Sequence, residues 1–233
     1  MPGETDSPWL IMVAICLIGA GLLVIGVNAE LHRWAPPPVP SAAAARAPGA
    51  AAAGAGVTAA RHGRGGPGTA PLPRSAAVSL RIPAIGVNAR VISLGLDASG
   101  GVAVPSLDTP FLTSWYDKGS APGQDGPAVL LGHVDSAAVG PAVFYKLGDL
   151  ARGDLVYVIL KDRRTVRFRV TAVALYRQQD FPTKQVYGFT PRPTLRLITC
   201  GGDYDEQTHL YLDRTIAFAV YAGEEPAPRA AKR

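Results

Sequence analysis

The sequence predicts an all-β domain carried behind a single apolar span, and three observations predict it. From Val78 onward, short runs rich in Val, Ile, Leu and Tyr alternate with Gly, Pro and Asp clusters, the texture of a sandwich or barrel made of many short strands. Within residues 165–172, Val166, Phe168, Val170 and Ala172 alternate with Thr165, Arg167, Arg169 and Thr171, a period of two that fits a strand with one buried face. Ahead of this domain, residues 9–27 form a run of 19 residues without a charge.

Taken in order, residues 1–8 read as a short N-terminal tail on the cytoplasmic side and residues 9–27 as a transmembrane anchor. At 1.5 Å per residue the run spans ~28 Å, close to the hydrocarbon thickness of a bilayer. It is long for the apolar part of a signal peptide, and no Ala-x-Ala site closely follows it, so it is expected to stay uncleaved. No Lys or Arg precedes the span and Arg33 follows it; flank charge alone therefore favours a cytoplasmic domain. Residues 28–75 are an Ala/Gly/Pro-rich linker. Such a composition buries too little apolar surface to offset ordering entropy, and predicts a flexible tether stiffened locally at Pro36–Pro38.

The folded domain is expected over residues 76–223, with strands at 78–82, 89–94, 101–104, 127–132, 154–160, 165–176, 194–200 and 214–222, and a brief helix at 141–147. That length is enough for one β-barrel core. Residues 224–233 close the chain as a disordered basic tail. Residues 78–225 hold 15 basic and 15 acidic side chains, so the net charge of +5 lies outside them. This argues against a nucleic-acid-binding face on the domain. With 48% apolar and 18% charged residues the chain is not disordered throughout, and two cysteines exclude a disulfide scaffold.

Cys16 falls inside the apolar run, which leaves Cys200 as the only thiol of the folded domain. Cys200 ends the strand-like run Thr194–Cys200. Alternation sets Leu195, Leu197 and Thr199 on one face and Arg196, Ile198 and Cys200 on the other. If the leucines face the core, the thiol points outward at a strand end. Gly201 and Gly202 after it leave room for a substrate backbone. A thiol needs an imidazole to react near neutral pH. His133 ends a second strand-like run and can converge with Cys200 at one rim. His32 and His62 lie in the linker, and His209 is expected to be solvated. Arg214 opens the last strand on the face of Ile216 and Phe218, where it needs a carbonyl or anionic partner: an oxyanion, or Asp203, Asp205 or Asp213 in a structural ion pair. A zinc site from Cys200, His133 and His209 fits no common ligand spacing, and no cofactor or metal is expected.

Two blocks carry a resemblance. Leu130-Leu131-Gly132-His133-Val134-Asp135-Ser136 followed by Gly140-Pro141-Ala142-Val143-Phe144 resembles the histidine block of sortases. Phe181-Pro182-Thr183 through Val186-Tyr187-Gly188, then Leu195-Arg196-Leu197-Ile198-Thr199-Cys200-Gly201-Gly202, resembles their cysteine block, with an ending closest to the actinobacterial class F members. The resemblance covers residues 76–222. It implies an eight-stranded β-barrel with one or two short helices, and a cysteine transpeptidase that cuts an LPXTG-type sorting signal between Thr and Gly. It also implies that Cys200 is the nucleophile, His133 the acid-base, Arg214 the oxyanion or backbone clamp, and Thr199 and Gly201 part of the substrate groove. The implied partners are sorting-signal proteins and a cell-wall precursor amine, with no nucleic acid.

The arginine departs from the pattern: class F members carry it where this chain has Leu212, and Arg214 lies two places on. Residues two apart share a face of a strand, ~6.8 Å along. The resemblance also implies a cell-membrane protein with the barrel outside, against the flank charge, which governs long tethered domains weakly. An L,D-transpeptidase is disfavoured because its cysteine sits in a different context. A degenerate barrel that binds peptides without turnover is the alternative.

Overall fold

The computed structural model describes residues 35–45 and 71–225. The expected tail 1–8, anchor 9–27, most of the linker and the residues after 225 lie outside the described residues, as do Cys16, His32 and His62. Among the described residues no helix is long and apolar enough to cross a membrane.

Eight strands close a barrel in the order β1-β2-β3-β4-β9-β10-β8-β7. They are β1 (Ala77–Ile82), β2 (Val87–Leu94), β3 (Thr113–Tyr116), β4 (Gly126–Gly132), β7 (Leu155–Leu160), β8 (Thr165–Arg177), β9 (Pro193–Asp205) and β10 (Leu210–Glu225). The pairs β2–β3 and β4–β9 are parallel and the others antiparallel. A small ribbon, β5 (Asp135–Ser136) with β6 (Gly140–Pro141), stands apart from the barrel. The eight-stranded barrel expected from the sequence is therefore present, with one strand reassigned. Residues 101–104 form no strand, only an isolated bridge between Val102 and Leu96. The place falls to β3, whose Thr113 and Ser114 are fully buried yet satisfied, Thr113 donating to the Arg90 carbonyl and Ser114 to that of Ala103. A strand that begins with two polar residues gives no apolar signal to read. The helix expected at 141–147 is absent: Pro141 ends β6, residues 143–146 form turns, and a 3-10 turn follows at Leu147–Asp149. The described α-helix is α1 (Thr183–Tyr187).

The barrel interior is filled by Leu80, Ile82, Leu130, Phe168, Leu195 and Leu197, each fully buried. The outer face of β4, β9, β10 and β8 is not solvated either. Val129, Ala172, Ile198, Ile216 and Phe218 form a second core with Val186 of α1, flanked by Tyr116, Phe181 and Tyr187. Strands covered on both sides read as nearly continuous apolar runs, which is why residues 194–200 look hydrophobic on both faces. Arg196 lies in this outer core at 7% exposure. It donates to the Gln185 and Leu195 carbonyls, its guanidinium sits 5.0 Å from the Phe218 ring, and burial pushes its pKa down to about 10.

Two bulges set the faces. In β8 the pairing with β10 skips Thr171, since Ala172 faces Phe218 and Val170 faces Ala219. A bulge reverses alternation. Ala172 accordingly joins the outer core while Val170 and Val173 fill the interior, so the single face expected for Val166, Phe168, Val170 and Ala172 ends at Val170. In β9, Gly202 and Asp203 oppose Leu212 alone, because the register steps from Tyr204↔Tyr211 to Gly201↔Asp213.

The stretch expected to be tether throughout contributes two ordered pieces. Arg74 donates to the carbonyls of Asp117 and Gly119, with its guanidinium 5.1 Å from the Trp115 ring. Residues 36–45 lie along the barrel: Ala44 is 2% exposed, its carbonyl accepts from the Val173 amide at 2.9 Å, and the Pro36 carbonyl accepts from the Tyr145 hydroxyl. A methyl group placed into a core, one backbone bond and one bond from a tyrosine hydroxyl order a segment that composition alone assigns to coil.

Candidate active site

Two adjacent strands, and the turn that leaves a third, carry the three candidate side chains. Cys200 of β9 pairs directly with Arg214 of β10, and directly paired residues of antiparallel strands show their side chains on the same face. On the other flank β4 and β9 run parallel, with Leu131 opposite Ile198 as their last pair. β4 ends at Gly132, one residue past that pair, and His133 follows directly, so it leaves β4 beside the stretch of β9 that leads to Cys200. The interior is left to Leu195, Leu197 and Thr199, so the thiol lies on the outer face, half-buried and free.

The bulge at Gly202 decides which β10 residue meets the thiol. Had the pairing beyond it continued unshifted from Tyr204↔Tyr211, Cys200 would face Thr215. Gly202 has φ +72°, and a Cβ there would run into the Asp213 carboxylate. A Cβ on Gly201 would meet the Thr215 hydroxyl. The two glycines thus serve the close approach of β10; the room for a substrate backbone expected beside them is filled by Asp213 and Thr215, and Gly201 is buried. Thr199 is likewise buried at 4% exposure, facing inward with its Oγ1 unbonded.

His133 is fixed by its backbone and its ring. Its carbonyl accepts from the Phe144 amide at 2.9 Å, and the Val134 carbonyl from that of Ala142. Gly132 permits this loop to lie close, since a Cβ there would stand 2.7 Å from Val143 Cγ1. The ring donates from Nε2 to the Pro105 carbonyl at 2.7 Å. That bond selects the Nε2–H tautomer and leaves Nδ1 as the nitrogen able to accept a proton. Pro105 belongs to the β2–β3 loop, residues 95–112, and nothing local in the sequence marks a carbonyl as a histidine partner.

Arg214 faces the outer core, not the interior, and of its expected partners it takes carbonyl oxygens. NH1 donates to the Tyr211 and Asp213 carbonyls at 3.1 and 2.8 Å, and NH2 to Gln178 Oε1 at 2.8 Å. The aspartates Asp203 and Asp213 instead lie against Arg177, at 3.6 and 3.3 Å. Of the five guanidinium N–H groups, Nε–H and one on NH2 make no hydrogen bond among the described residues. Leu212, the position at which the resemblance puts the arginine, is 39% exposed. His209 is exposed in the β9–β10 turn, its Nδ1 3.3 Å from the Tyr204 hydroxyl.

Burial pushes the Cys200 thiol above its ordinary value, the Arg214 guanidinium pulls it back, and the Asp135 carboxylate adds to the rise. At rest the sulfur is therefore protonated at neutral pH. Asp135 accepts a hydrogen bond from the Tyr211 hydroxyl, a contact not foreseen from sequence although Asp135 lies inside the histidine block. A cleft of about 800 Å³ opens farther along the same face, lined by Tyr116, Val129, Tyr187 and Phe189 with Arg74 and Lys118. Val129 of β4, which lines the cleft, precedes His133 by four residues, or ~13 Å of extended chain.

The sortase domain family model matches residues 80–222. Among solved structures, the lid mutant of sortase A from Corynebacterium diphtheriae is similar with a TM-score of 0.50 at 22% identity, over 66% of this chain and 74% of that one. The complex of Streptococcus agalactiae sortase C1 and MTSET is similar with a TM-score of 0.50 at 16% identity, over 66% and 72%. At these identities the likeness is one of fold. No curated protein matches the chain.

Proposed function

The chain belongs to the sortase family, and from that premise we propose that it is a membrane-anchored cysteine transpeptidase of class F type with its barrel outside the cell. It cuts LPXTG-type sorting signals between Thr and Gly and passes the acyl group to a cell-wall amine. The observation that carries this reading is the direct pairing of Cys200 with Arg214 across β9 and β10, with His133 immediately after β4, the strand that flanks β9 on its other side.

In the first half-reaction the Cys200 sulfur attacks the Thr carbonyl carbon. Because the thiol is protonated at rest, His133 Nδ1 takes its proton as the S–C bond forms. The two uncommitted N–H groups of Arg214 meet the developing oxyanion. The C–N bond to Gly then breaks, and the imidazolium gives its proton to the leaving amine. In the second half an amine attacks the thioester, the C–S bond breaks, and His133 carries a proton the other way. Thr199 and Gly201 act in this reading from beneath the floor, by setting the strand that holds the thiol.

A barrel that binds peptide without turnover is the second reading, favoured by the elevated thiol and by Leu212 in place of the usual arginine. Cleavage of a Leu-Pro-x-Thr-Gly peptide by the full chain, followed by chromatography with triglycine as acceptor, separates the two. Transfer product is expected from the wild type, none from Cys200→Ala, and a loss of at least ~10²-fold in His133→Ala. Binding without cleavage would establish the second reading.

A further inference from the structure

Asp135 is a carboxylate at the wrong place for a thiolate. It stands two residues beyond His133, half-buried, and makes no ion pair among the described residues. Its Oδ2 is held by the Tyr211 hydroxyl. Tyr211 also gives its carbonyl to the Arg214 guanidinium, so one residue ties the carboxylate and the arginine into a single frame around the sulfur. The Tyr211 ring lies edge-on to that of Tyr204 at 5.1 Å, and Tyr204 is 48% exposed. The field of Asp135 reaches both Cys200 and the Tyr145 hydroxyl.

A negative charge here opposes formation of the nucleophile, and the Arg214 guanidinium offsets it. Such a charge is useful when a cation arrives. A half-buried carboxylate with one lone-pair direction fixed by a tyrosine keeps its other acceptor sites for an ammonium, which it holds by charge-assisted hydrogen bonding. Resting on the transpeptidase reading, we propose that Asp135, clamped by Tyr211, docks the acceptor as its primary ammonium beside the thioacyl enzyme. The docked ammonium first gives one proton through His133 to solvent, which frees the nitrogen lone pair. The amine then forms the C–N bond as the C–S bond breaks, and its second proton goes to the Cys200 sulfur. Asp135 itself gains and loses nothing, and it selects amines over water.

The test compares two nucleophiles on the full chain acylated by a Leu-Pro-x-Thr-Gly peptide: triglycine, cationic at neutral pH, and hydroxylamine, mostly uncharged there. The ratio of kcat/KM for triglycine to that for hydroxylamine is expected to fall about tenfold in Asp135→Asn, the scale of one charge-assisted contact. Tyr211→Phe, which keeps the charge and frees it, is expected to lower the ratio by less. In the wild type the triglycine KM is expected to rise with ionic strength while that for hydroxylamine does not, a readout that stands even where a variant fails to fold. An unchanged ratio, or a salt-independent triglycine KM, overturns the proposal while leaving the transpeptidase reading intact. A wild type that forms no thioacyl enzyme overturns that reading and this one with it.

Discussion

Cys200 sits between opposing influences: burial and Asp135 hold the proton on, and Arg214 helps it off. The signs give a prediction. Alkylation of Cys200 by iodoacetamide follows the thiolate, so its rate is expected to climb with pH around a midpoint above that of an ordinary cysteine. Arg214→Ala is expected to move the midpoint farther up and Asp135→Asn to move it down, each read from the pH profile by mass spectrometry. A midpoint below neutral, or shifts of opposite sign, would contradict the geometry. At this scale the sequence was most informative about side chains with their own chemistry. Cys200, His133 and Arg214 announce themselves; the partners that orient them do not. Pro105 contributes a carbonyl and Gln178 an amide oxygen, groups present everywhere along a chain, and which of them meets the site is set by loops distant in sequence.

Among the elements, the junction of β9 and β10 governs the site. Parity places Arg214 and Leu212 on one face, but it cannot say which residue is opposite the thiol. That depends on the bulge at Gly202–Asp203, and a Gly-Gly pair reads equally well as a loop or as a bulge. Gly202→Ala is expected to cost about 1–3 kcal/mol, the scale of a strained left-handed residue. For a domain of this size that is about 2–4 °C in Tm per kcal/mol. The same change is expected to slow thioester formation far more than a comparably destabilising core change such as Ile82→Val, because relaxing the bulge turns Thr215 toward Cys200. Equal effects of the two on the rate would show that the bulge is only a structural joint. The strands 78–82, 89–94, 127–132 and 154–160 were legible because alternation or apolar runs persist through them. β3 was not, because its buried Thr113 and Ser114 are paid for by hydrogen bonds that no pattern records.

For the whole molecule, the barrel is packed on two sides. Its interior was readable from alternation, but its outer core was not, since α1 is too short to show a helical period and its contribution rests on Val186 and Tyr187. Residues 36–45 extend the fold beyond the barrel proper, and Ala44→Asp tests whether that contact matters. A carboxylate at a 2% exposed site must detach the segment or be buried at cost, so a loss of about 1–3 kcal/mol is expected, read as a lower Tm of the full chain. No change in Tm would mean that the segment lies on the barrel without stabilising it. The membrane anchor and the outward barrel remain part of the proposal, carried by residues 9–27 and by the chemistry of the partners.

The central claim is that Cys200 forms a covalent acyl enzyme with a sorting peptide. Intact mass spectrometry of the full chain, incubated with a Leu-Pro-x-Thr-Gly peptide and no amine, tests it directly. The expected result is a mass gain equal to the peptide acid ending at Thr less one water, mapped to Cys200 and released by triglycine. An unmodified chain under conditions where the peptide is bound would contradict it.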